Sequence, residues 1–413
     1  MAQDLDYYFP IKTDTACQSK WSWSTVWLNR GTSSSCHRVD EFPIPVDDFG
    51  SFHNLPEKII HREKMLKGQW PGEGCEYCKV IEDAGGFSDR MHNNDIPGYA
   101  PKELKDDPTL THVKPTIVEI FAYNTCNFKC VYCGPSLSSR IEQESTNFGP
   151  HELFQGVYPP NSAIVNKRYE DFFLWLEENI QSLMRLHLLG GETFVQHDLI
   201  TRVIKLLKEK PNPNLQLNIF SNFNPPDKYF KKYVDSIHDL WKNKCIDRFD
   251  LTASIDCWGP EAEYVRFGLD CELFEENFAY AASFPEEFLF LNANQTISSF
   301  TMKTMPDLIK MINKYNTDRH IGHYGMLVDG YPFQRPEVFA YSTWENVWAD
   351  IFTELKTDTN EQQETVKIFT GLQKVMQQTT KNDTAKIKQL HDYFDEIDRR
   401  RNTSWRSLWP ELA

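Results

Sequence analysis

Residues 126–133 read Cys126-Asn127-Phe128-Lys129-Cys130-Val131-Tyr132-Cys133 and place three thiols at a C-x₃-C-x₂-C spacing. The apolar run before them, Thr116-Ile117-Val118-Glu119-Ile120-Phe121-Ala122-Tyr123, predicts a buried strand. The cysteines are therefore expected on a loop at the carboxyl end of a strand. In α/β barrels, that end of the strands carries the functional residues.

Three thiolates in one short loop are suited to a soft metal centre. They leave a four-iron cluster one protein ligand short, so one iron stays free to bind another molecule. A zinc site requires a fourth Cys or His at comparable spacing, and no such residue follows within the loop. The pattern favours an iron–sulfur cluster, with zinc or unrelated thiols as the alternative.

The spacing of the cysteines, the aromatic residue before the third and the preceding strand resemble the radical SAM superfamily. The resemblance implies that Cys126, Cys130 and Cys133 are catalytic and bind a [4Fe–4S] cluster. It also implies that the open iron chelates the amino and carboxylate groups of S-adenosylmethionine (SAM). Reductive cleavage of SAM would then give a 5′-deoxyadenosyl radical that abstracts a hydrogen atom from the substrate.

The composition limits the function classes that remain. The chain has 413 residues, enough for two domains or a barrel with additions, and a formal net charge of -15. This charge argues against nucleic acid as a partner, and the apolar runs are too short for a membrane span. With ten cysteines and no signal-peptide pattern, the chain is expected in the reducing cytoplasm with metal-bound thiols.

The first part of the chain, residues 1–112, is predicted to form a cysteine-rich β-hairpin module. The alternating stretch Trp21-Ser22-Trp23-Ser24-Thr25-Val26-Trp27-Leu28 predicts a strand, and Asn29-Arg30-Gly31 predicts a turn into a second strand. Cys17 and Cys36 are expected to flank this hairpin.

A C-x-x-C pair, Cys75 and Cys78, adds two further thiols to Cys17 and Cys36. Four thiols complete a tetrahedral zinc site or a cluster site, and the number of ligands does not separate the two. Gly31-x₄-Cys36, with a cysteine upstream and a C-x-x-C beyond, resembles the auxiliary module of the twitch and SPASM enzymes. The resemblance implies a second, auxiliary [4Fe–4S] cluster of the twitch type, although that module usually follows the barrel.

Residues 113–330 alternate short apolar runs with amphipathic stretches, which predicts βα units and a parallel sheet. Six such units predict an α/β fold with a partial (β/α)₆ TIM-like barrel. Residues 331–413 show helical spacing and predict a helical carboxyl-terminal extension.

Gly190-Gly191-Glu192 follows the second predicted strand of the barrel. Glycines at a strand end allow a close approach of backbone to a ligand, and a glutamate can accept a hydrogen bond from an ammonium group. Radical SAM enzymes carry a G-G-E motif at this place. The resemblance therefore implies that Gly190, Gly191 and Glu192 hold the amino group of SAM.

Further cofactor contacts are implied by the same resemblance. Asn222 and Ser254, at the ends of later strands, would lie near the ribose of SAM. Arg266 would lie near its carboxylate, and Tyr132 would pack near the adenine. The alternatives are ordinary roles, because Ser and Asn cap helices, arginine is common at surfaces and tyrosine is common in cores.

The sequence thus predicts a cytoplasmic radical SAM enzyme with an auxiliary metal centre. By analogy with twitch and SPASM relatives, the expected substrate is a peptide or protein, with flavodoxin or ferredoxin as electron donor. The alternatives are a small-molecule substrate (a sugar, nucleoside or amino-acid derivative) and a zinc-stapled, non-catalytic binding module.

Overall fold

The computed structural model describes residues 7–72, 74–150, 162–317 and 319–413. The strands are β1 Trp23–Trp27, β2 Thr32–Ser34, β3 Phe42–Pro43, β4 Ile117–Phe121, β5 Lys129–Cys130, β6 Arg185–Leu189, β7 Gln216–Ser221, β8 Arg248–Ser254, β9 Arg266–Phe267, β10 Leu289–Ile297 and β11 Gly322–Leu327. The fold is α/β, as the sequence predicts.

The helices are α1 Gln18–Ser22, α2 Pro56–Leu66, α3 Glu76–Asp83, α4 Asp89–Asn94, α5 Ser139–Phe148, α6 Ser162–Asn179, α7 His197–Glu209, α8 Asp227–Lys242, α9 Pro260–Val265, α10 Cys271–Ala282, α11 Met305–Tyr315, α12 Glu345–Glu354, α13 Asn360–Met376, α14 Thr384–Arg401 and α15 Trp405–Leu408. Among the described residues, no helix combines the length and the apolar character that crossing a membrane requires.

Nine strands form one mostly parallel sheet in the described part of the chain, in the order β11-β10-β8-β7-β6-β4-β1-β2-β3. From β4 to β11 the spatial order follows the chain order, and each of these neighbouring strands is parallel to the next. The six predicted barrel strands are therefore present in the predicted order. Helices α7, α8 and α10 connect or flank these strands, as expected for βα units.

The two faces of the sheet differ in chemistry because side chains alternate along a strand. On one face, aliphatic residues such as Val118, Leu186 and Leu251 share a buried cluster with apolar residues of α6, α7, α8, α10 and α11. The opposite face, called the polar face below, carries Glu119 opposite His187 on the neighbouring strand. The connecting helices thus cover the aliphatic face.

The amino-terminal hairpin belongs to the same sheet. Strands β1 and β2 are antiparallel, as predicted, and β1 also pairs in parallel with β4, with Thr25 opposite Glu119. The predicted first strand is shorter than expected, because Trp21 lies in α1 and is fully buried. Its indole donates a hydrogen bond to Leu110 O at 2.8 Å. A local sequence pattern cannot predict this contact, because the two residues lie far apart within residues 1–112.

The carboxyl-terminal extension is helical, as predicted, and it packs on the barrel segment. A second buried cluster joins aromatic residues of α12, α14 and α15 to the end of the sheet and to Val131 of the cysteine loop, defined here as residues 126–133. Phe300 stacks on Phe394 with ring centroids 3.9 Å apart. The extension therefore contacts the segment that carries the three predicted cluster cysteines.

Candidate metal and cofactor site

The cysteine loop begins five residues after β4 and is tied to a second segment of the chain. Strand β5 within the loop pairs antiparallel with β9, which places Cys130 opposite Arg266. The amide of Val131 also donates to Val265 O at 2.9 Å. Backbone pairing thus fixes the middle cysteine beside an arginine that lies 136 residues later in the chain.

The three cysteines of the loop are half-buried, and their thiols lie close enough together to influence one another. Burial raises the pKa of Cys126 well above its ordinary value, and Cys130 and Cys133 add to the rise. Burial, followed by the effect of Cys130, raises the pKa of Cys133 to about 12. These thiols keep their protons at neutral pH unless a metal displaces them, so metal binding would release protons.

The donor set of the cysteine loop is three neighbouring thiols beside a cationic guanidinium. Thiolates are the ligands that soft metals and iron–sulfur clusters prefer. Among the residues that the structure describes, no group of three or more His, Cys, Asp or Glu side chains is placed so that it could hold a metal ion.

Arg266 is held rigidly next to Cys130. Its Nε and Nη2 donate to the two oxygens of Asp256 at 2.8 and 2.9 Å, and both side chains are almost fully buried. The remaining nitrogen, Nη1, lies 4.0 Å from Cys130 Sγ. Tyr132 donates its hydroxyl to Asp256 at 2.5 Å. Two residues predicted to contact SAM, Arg266 and Tyr132, therefore meet at Asp256 beside Cys130.

Gly190 and Gly191, the predicted glycine pair, allow two backbone segments to pack closely against each other. The amide of Gly191 donates to Tyr123 O at 3.0 Å, and the amide of Glu192 donates to Thr125 O at 2.8 Å. A Cβ at Gly191 would lie 2.2 Å from Thr125 O, and one at Gly190 would lie 2.5 Å from Tyr123 O. Only glycine fits at these positions, because the segment directly before the cysteine loop lies against them.

Glu192 turns its carboxylate towards the end of the next strand. It accepts hydrogen bonds from Asn222 N at 2.6 Å, Ser221 Oγ at 2.9 Å and Phe194 N at 3.0 Å. Burial raises the pKa of this carboxyl to about 7, and these donors limit the rise. Most of its acceptor capacity is used within the protein, so Glu192 ties β6 to β7 in this structure.

Asn222 and Ser254 lie at neighbouring strand ends. Asn222 is buried, and its Nδ2 donates to Asn127 Oδ1 in the cysteine loop at 2.8 Å. Ser254 is half-buried at the end of β8 and lies opposite Asn294 of β10. The structure therefore brings Asn222 to the cysteine loop, whereas Ser254 lies on the next strand along.

The four amino-terminal cysteines also lie near one another. Cys17 directly precedes α1, Cys36 follows β2, and Cys75 and Cys78 lie at the start of α3. Burial raises the pKa of Cys17 to about 12, with further contributions from Cys36 and Cys75. Cys36 and Cys78 likewise add to the burial that raises the pKa of Cys75. These residues are called the four-cysteine site below.

The sequence patterns did not identify the contacts by which the carboxyl-terminal extension supports the cysteine loop. Arg401 Nη1 donates to Lys129 O at 2.8 Å, and Tyr393 Oη donates to Val131 O at 2.6 Å. Gln334 Nε2 donates to the same Val131 oxygen at 3.1 Å. The basic run at residues 399–401 is the available signal, but from the sequence it is compatible with a partner-docking segment or with a helix end that complements the helix dipole.

A polar group on the polar face was also missed. Glu119 is buried, accepts a hydrogen bond from Thr25 at 2.6 Å, and lies 3.4 Å from His37 Nε2 and 3.6 Å from His187 Nδ1. Burial lowers the pKa of His187 to about 4, so this imidazole is neutral at pH 7. Because His37 follows Cys36 in the chain, the four-cysteine site adjoins the polar face.

No protein-family model matches this chain, and no curated protein matches it. The interpretation of the site therefore depends on the residues that the fold brings together. Those residues are the three loop thiols and the Arg266–Asp256 pair, together with the separate four-cysteine site.

Proposed function

We propose that this chain is a radical SAM enzyme whose catalytic cysteines, Cys126, Cys130 and Cys133, hold a [4Fe–4S] cluster. The observation that carries the proposal is that three half-buried thiols share a loop after a parallel strand and that Arg266 of β9 is paired with this loop. When bound, the cluster supplies the electron that cleaves SAM to the hydrogen-abstracting 5′-deoxyadenosyl radical.

The proposal includes a partial (β/α)₆ TIM-like barrel. In support, the strands from β4 to β11 are parallel and follow the chain order. Right-handed crossovers between consecutive parallel strands place every connecting helix on the same face, as in a barrel. The aliphatic cluster shared by those helices and one face of the sheet agrees with this arrangement.

Several residues would position SAM. Asp256 fixes the Arg266 guanidinium, so Nη1 is oriented towards the cluster cysteines and can bind a carboxylate without a large loss of side-chain freedom. Gly190 and Gly191 let residues 123–125, directly before the cysteine loop, lie close to the end of β6. Glu192 and Asn222 join the ends of β6 and β7 beneath that loop.

The polar face is the proposed substrate side. It carries buried polar groups such as Glu119 and His187, and near the edge strand Tyr324 is 46% exposed and Met326 is 53% exposed. Charged, hydrogen-bonding and apolar groups together suit a peptide or protein substrate. A small molecule is the alternative substrate. A flavodoxin or ferredoxin would supply the electron, and the four-cysteine site would hold an auxiliary cluster or zinc.

The test is chemical analysis of anaerobically purified protein, followed by a cleavage assay. Iron and acid-labile sulfide are measured per chain, and 5′-deoxyadenosine is quantified after addition of dithionite and SAM. We expect a sulfide-containing protein that forms 5′-deoxyadenosine. A colourless protein containing zinc alone, or an iron–sulfur protein that leaves SAM intact, would contradict the proposal.

Two variants make the test specific. Replacing Cys126, Cys130 and Cys133 together with Ala should abolish 5′-deoxyadenosine formation. Replacing Cys271, a half-buried cysteine at the start of α10, with Ala should preserve it. Equal losses in both variants would mean that cysteine removal acts through general misfolding.

A further inference from the structure

A basic surface adjoins the cysteine loop, although the chain as a whole has a formal net charge of -15. It combines Lys129 of the loop with residues of α5 and of the last turn of α14. Its members, called the basic surface below, are Lys129, Arg140, Phe148, Arg399, Arg400 and Arg401. Because Lys129 directly precedes Cys130, this surface lies beside the proposed cluster ligands.

One carboxylate is shared by two cations where the loop meets α5 and α14. Lys129 Nζ lies 2.7 Å from Glu144 Oε1, and Arg401 Nε lies 3.1 Å from the same oxygen. Two positive charges against one negative charge leave this group net positive. The shared carboxylate also holds the loop and the end of α14 together in one surface.

A second shared carboxylate lies near the end of α14. Glu396 contacts Arg399 Nε at 2.6 Å and Arg400 Nε at 2.7 Å, so this group is also net positive. Arg140 is exposed, and no carboxylate in the described ranges forms an ion pair with it. The basic surface therefore has more cations than carboxylates, in contrast to the chain as a whole.

Phe148 gives the basic surface an apolar centre. It is 45% exposed, and the guanidinium carbons of Arg399 and Arg400 lie 5.7 and 5.9 Å from its ring centroid. Together with Lys129 and Arg140, it also lines a groove of about 320 Å³. Aromatic and arginine side chains are enriched at protein interfaces and contribute much of their binding energy. An exposed aromatic ring among cations is thus suited to an acidic protein partner.

We propose that the basic surface docks an acidic one-electron carrier protein of the flavodoxin type, which reduces the cluster at Cys126, Cys130 and Cys133. The inference rests on the proposed function, because that function requires an external electron at the cysteine loop. In the transfer, the reduced flavin of the carrier loses one electron and the oxidised cluster gains it. Electron transfer slows steeply with distance, so the carrier has to bind beside the loop.

Charge complementarity favours this partner and this surface. Complementary potentials steer two proteins together and fix their relative orientation. Because the chain as a whole is negative, an acidic carrier is expected to bind at the basic surface rather than elsewhere. Arg140 is exposed and the Arg399 side chain is 58% exposed, so these two residues can contact a partner directly.

The first measurement is the binding of an oxidised flavodoxin of net negative charge to the full chain, by calorimetry at low salt. The double variant Arg140→Glu with Arg399→Glu should raise Kd by about tenfold or more, because like charges would then face each other. Kd of the wild-type complex should also rise as salt is added, since salt screens exposed charges.

The second measurement compares two electron sources for 5′-deoxyadenosine formation. With reduced flavodoxin at limiting concentration, the double variant should be about tenfold slower than the wild type. With dithionite, a small reductant that needs no docking surface, the two rates should agree. Lys205→Glu is the matched control, because Lys205 lies on α7 and its side chain is 75% exposed. This variant should keep the wild-type Kd and both rates.

Three results would overturn the inference: an unchanged Kd in the double variant, an equal rise of Kd in Lys205→Glu, or displacement of flavodoxin by a short single-stranded RNA at equal concentration. The last result would mean that the surface binds anions without selecting a carrier. If the double variant does not fold, Arg140→Gln with Arg399→Gln replaces it, because these changes remove the charges without adding others. Its Kd must then rise by about threefold or more.

The outcome for the proposed function is read separately. Flavodoxin binding that depends on Arg140 and Arg399, together with intact SAM under dithionite, would refute the proposed function and leave the docking surface in place. Formation of 5′-deoxyadenosine with dithionite, without charge-dependent binding of flavodoxin, would refute the inference alone.

Discussion

Replacing Arg401 with Met tests whether the carboxyl-terminal extension supports the cysteine loop. Arg401 Nε and Nη2 contact the two oxygens of Glu144 at 3.1 and 3.2 Å, and the two side chains are 1% and 2% exposed. Its Nη1 donates to Lys129 O. The substitution therefore removes a buried ion pair and a hydrogen bond to the loop.

The expected loss of stability follows from what remains around Glu144. Removing one partner of a buried ion pair costs about 3–5 kcal/mol, because the other charge is left uncompensated. Lys129 Nζ stays 2.7 Å from Glu144 and is 17% exposed, so Glu144 keeps one cation. The lower end, about 3 kcal/mol, is therefore expected. With a slope of about 3 kcal/mol per M, the urea midpoint falls by about 1 M.

Arg399 provides the matched control on the same helix. It is largely exposed and pairs with Glu396, its neighbour on the same helix, at 2.6 Å. Arg399→Met should leave the urea midpoint and the iron content unchanged, whereas Arg401→Met should lower both. Equal midpoints in the two variants would refute the reasoning. A lowered midpoint with wild-type iron content would show that α14 stabilises the fold without supporting the loop.

Three further predictions concern the strand ends. Gly191→Ala should lower the denaturation midpoint and the iron content, because its Cβ would lie 2.2 Å from a backbone oxygen; Gly371→Ala, with open space around it, should do neither. Burial raises the pKa of Glu192 from 4.5 to about 7, so the folded state holds a proton that the unfolded state loses as the pH rises between these values. The free energy of unfolding should therefore fall by about 3 kcal/mol as the pH rises from 4.5 to about 7, and then level off. Glu192→Gln should flatten that fall in thermal unfolding measured across pH. Asp256→Asn should cost about 3–5 kcal/mol in urea unfolding by leaving the buried Arg266 unpaired, and a loss below 1 kcal/mol would contradict this.

Much of the fold could be predicted because its signals are local. The run at 116–123 contains β4 at Ile117–Phe121, and the five parallel strands that follow it in the sheet alternate with helices, as the pattern of residues 113–330 predicts. Turn residues such as Gly31, with a φ of +69°, mark the hairpin, because this left-handed conformation favours glycine. Strong periodicity and turn chemistry therefore placed the elements that carry the predicted site.

The contacts between distant segments could not be predicted. Pairing of β1 with β4 depends on complementary edges almost a hundred residues apart, and no local pattern encodes it. Tyr393 reaches Val131 across 262 residues, and Arg401 reaches Lys129 across 272. A basic run at a helix end is equally compatible with a solvated surface, so its role depends on tertiary packing.

The tie between α14 and the cysteine loop also has a temporal consequence. A ribosome that has just added Lys129 must add 272 more residues before Arg401 exists. At about 5–20 residues per second, this interval lasts roughly 14–54 seconds. During that time, the nascent cysteine loop lacks its contacts with α14. A cofactor delivered early would therefore meet a binding loop that has not reached its final structure. Maturation is therefore expected to follow translation of α14 rather than to accompany synthesis of the loop.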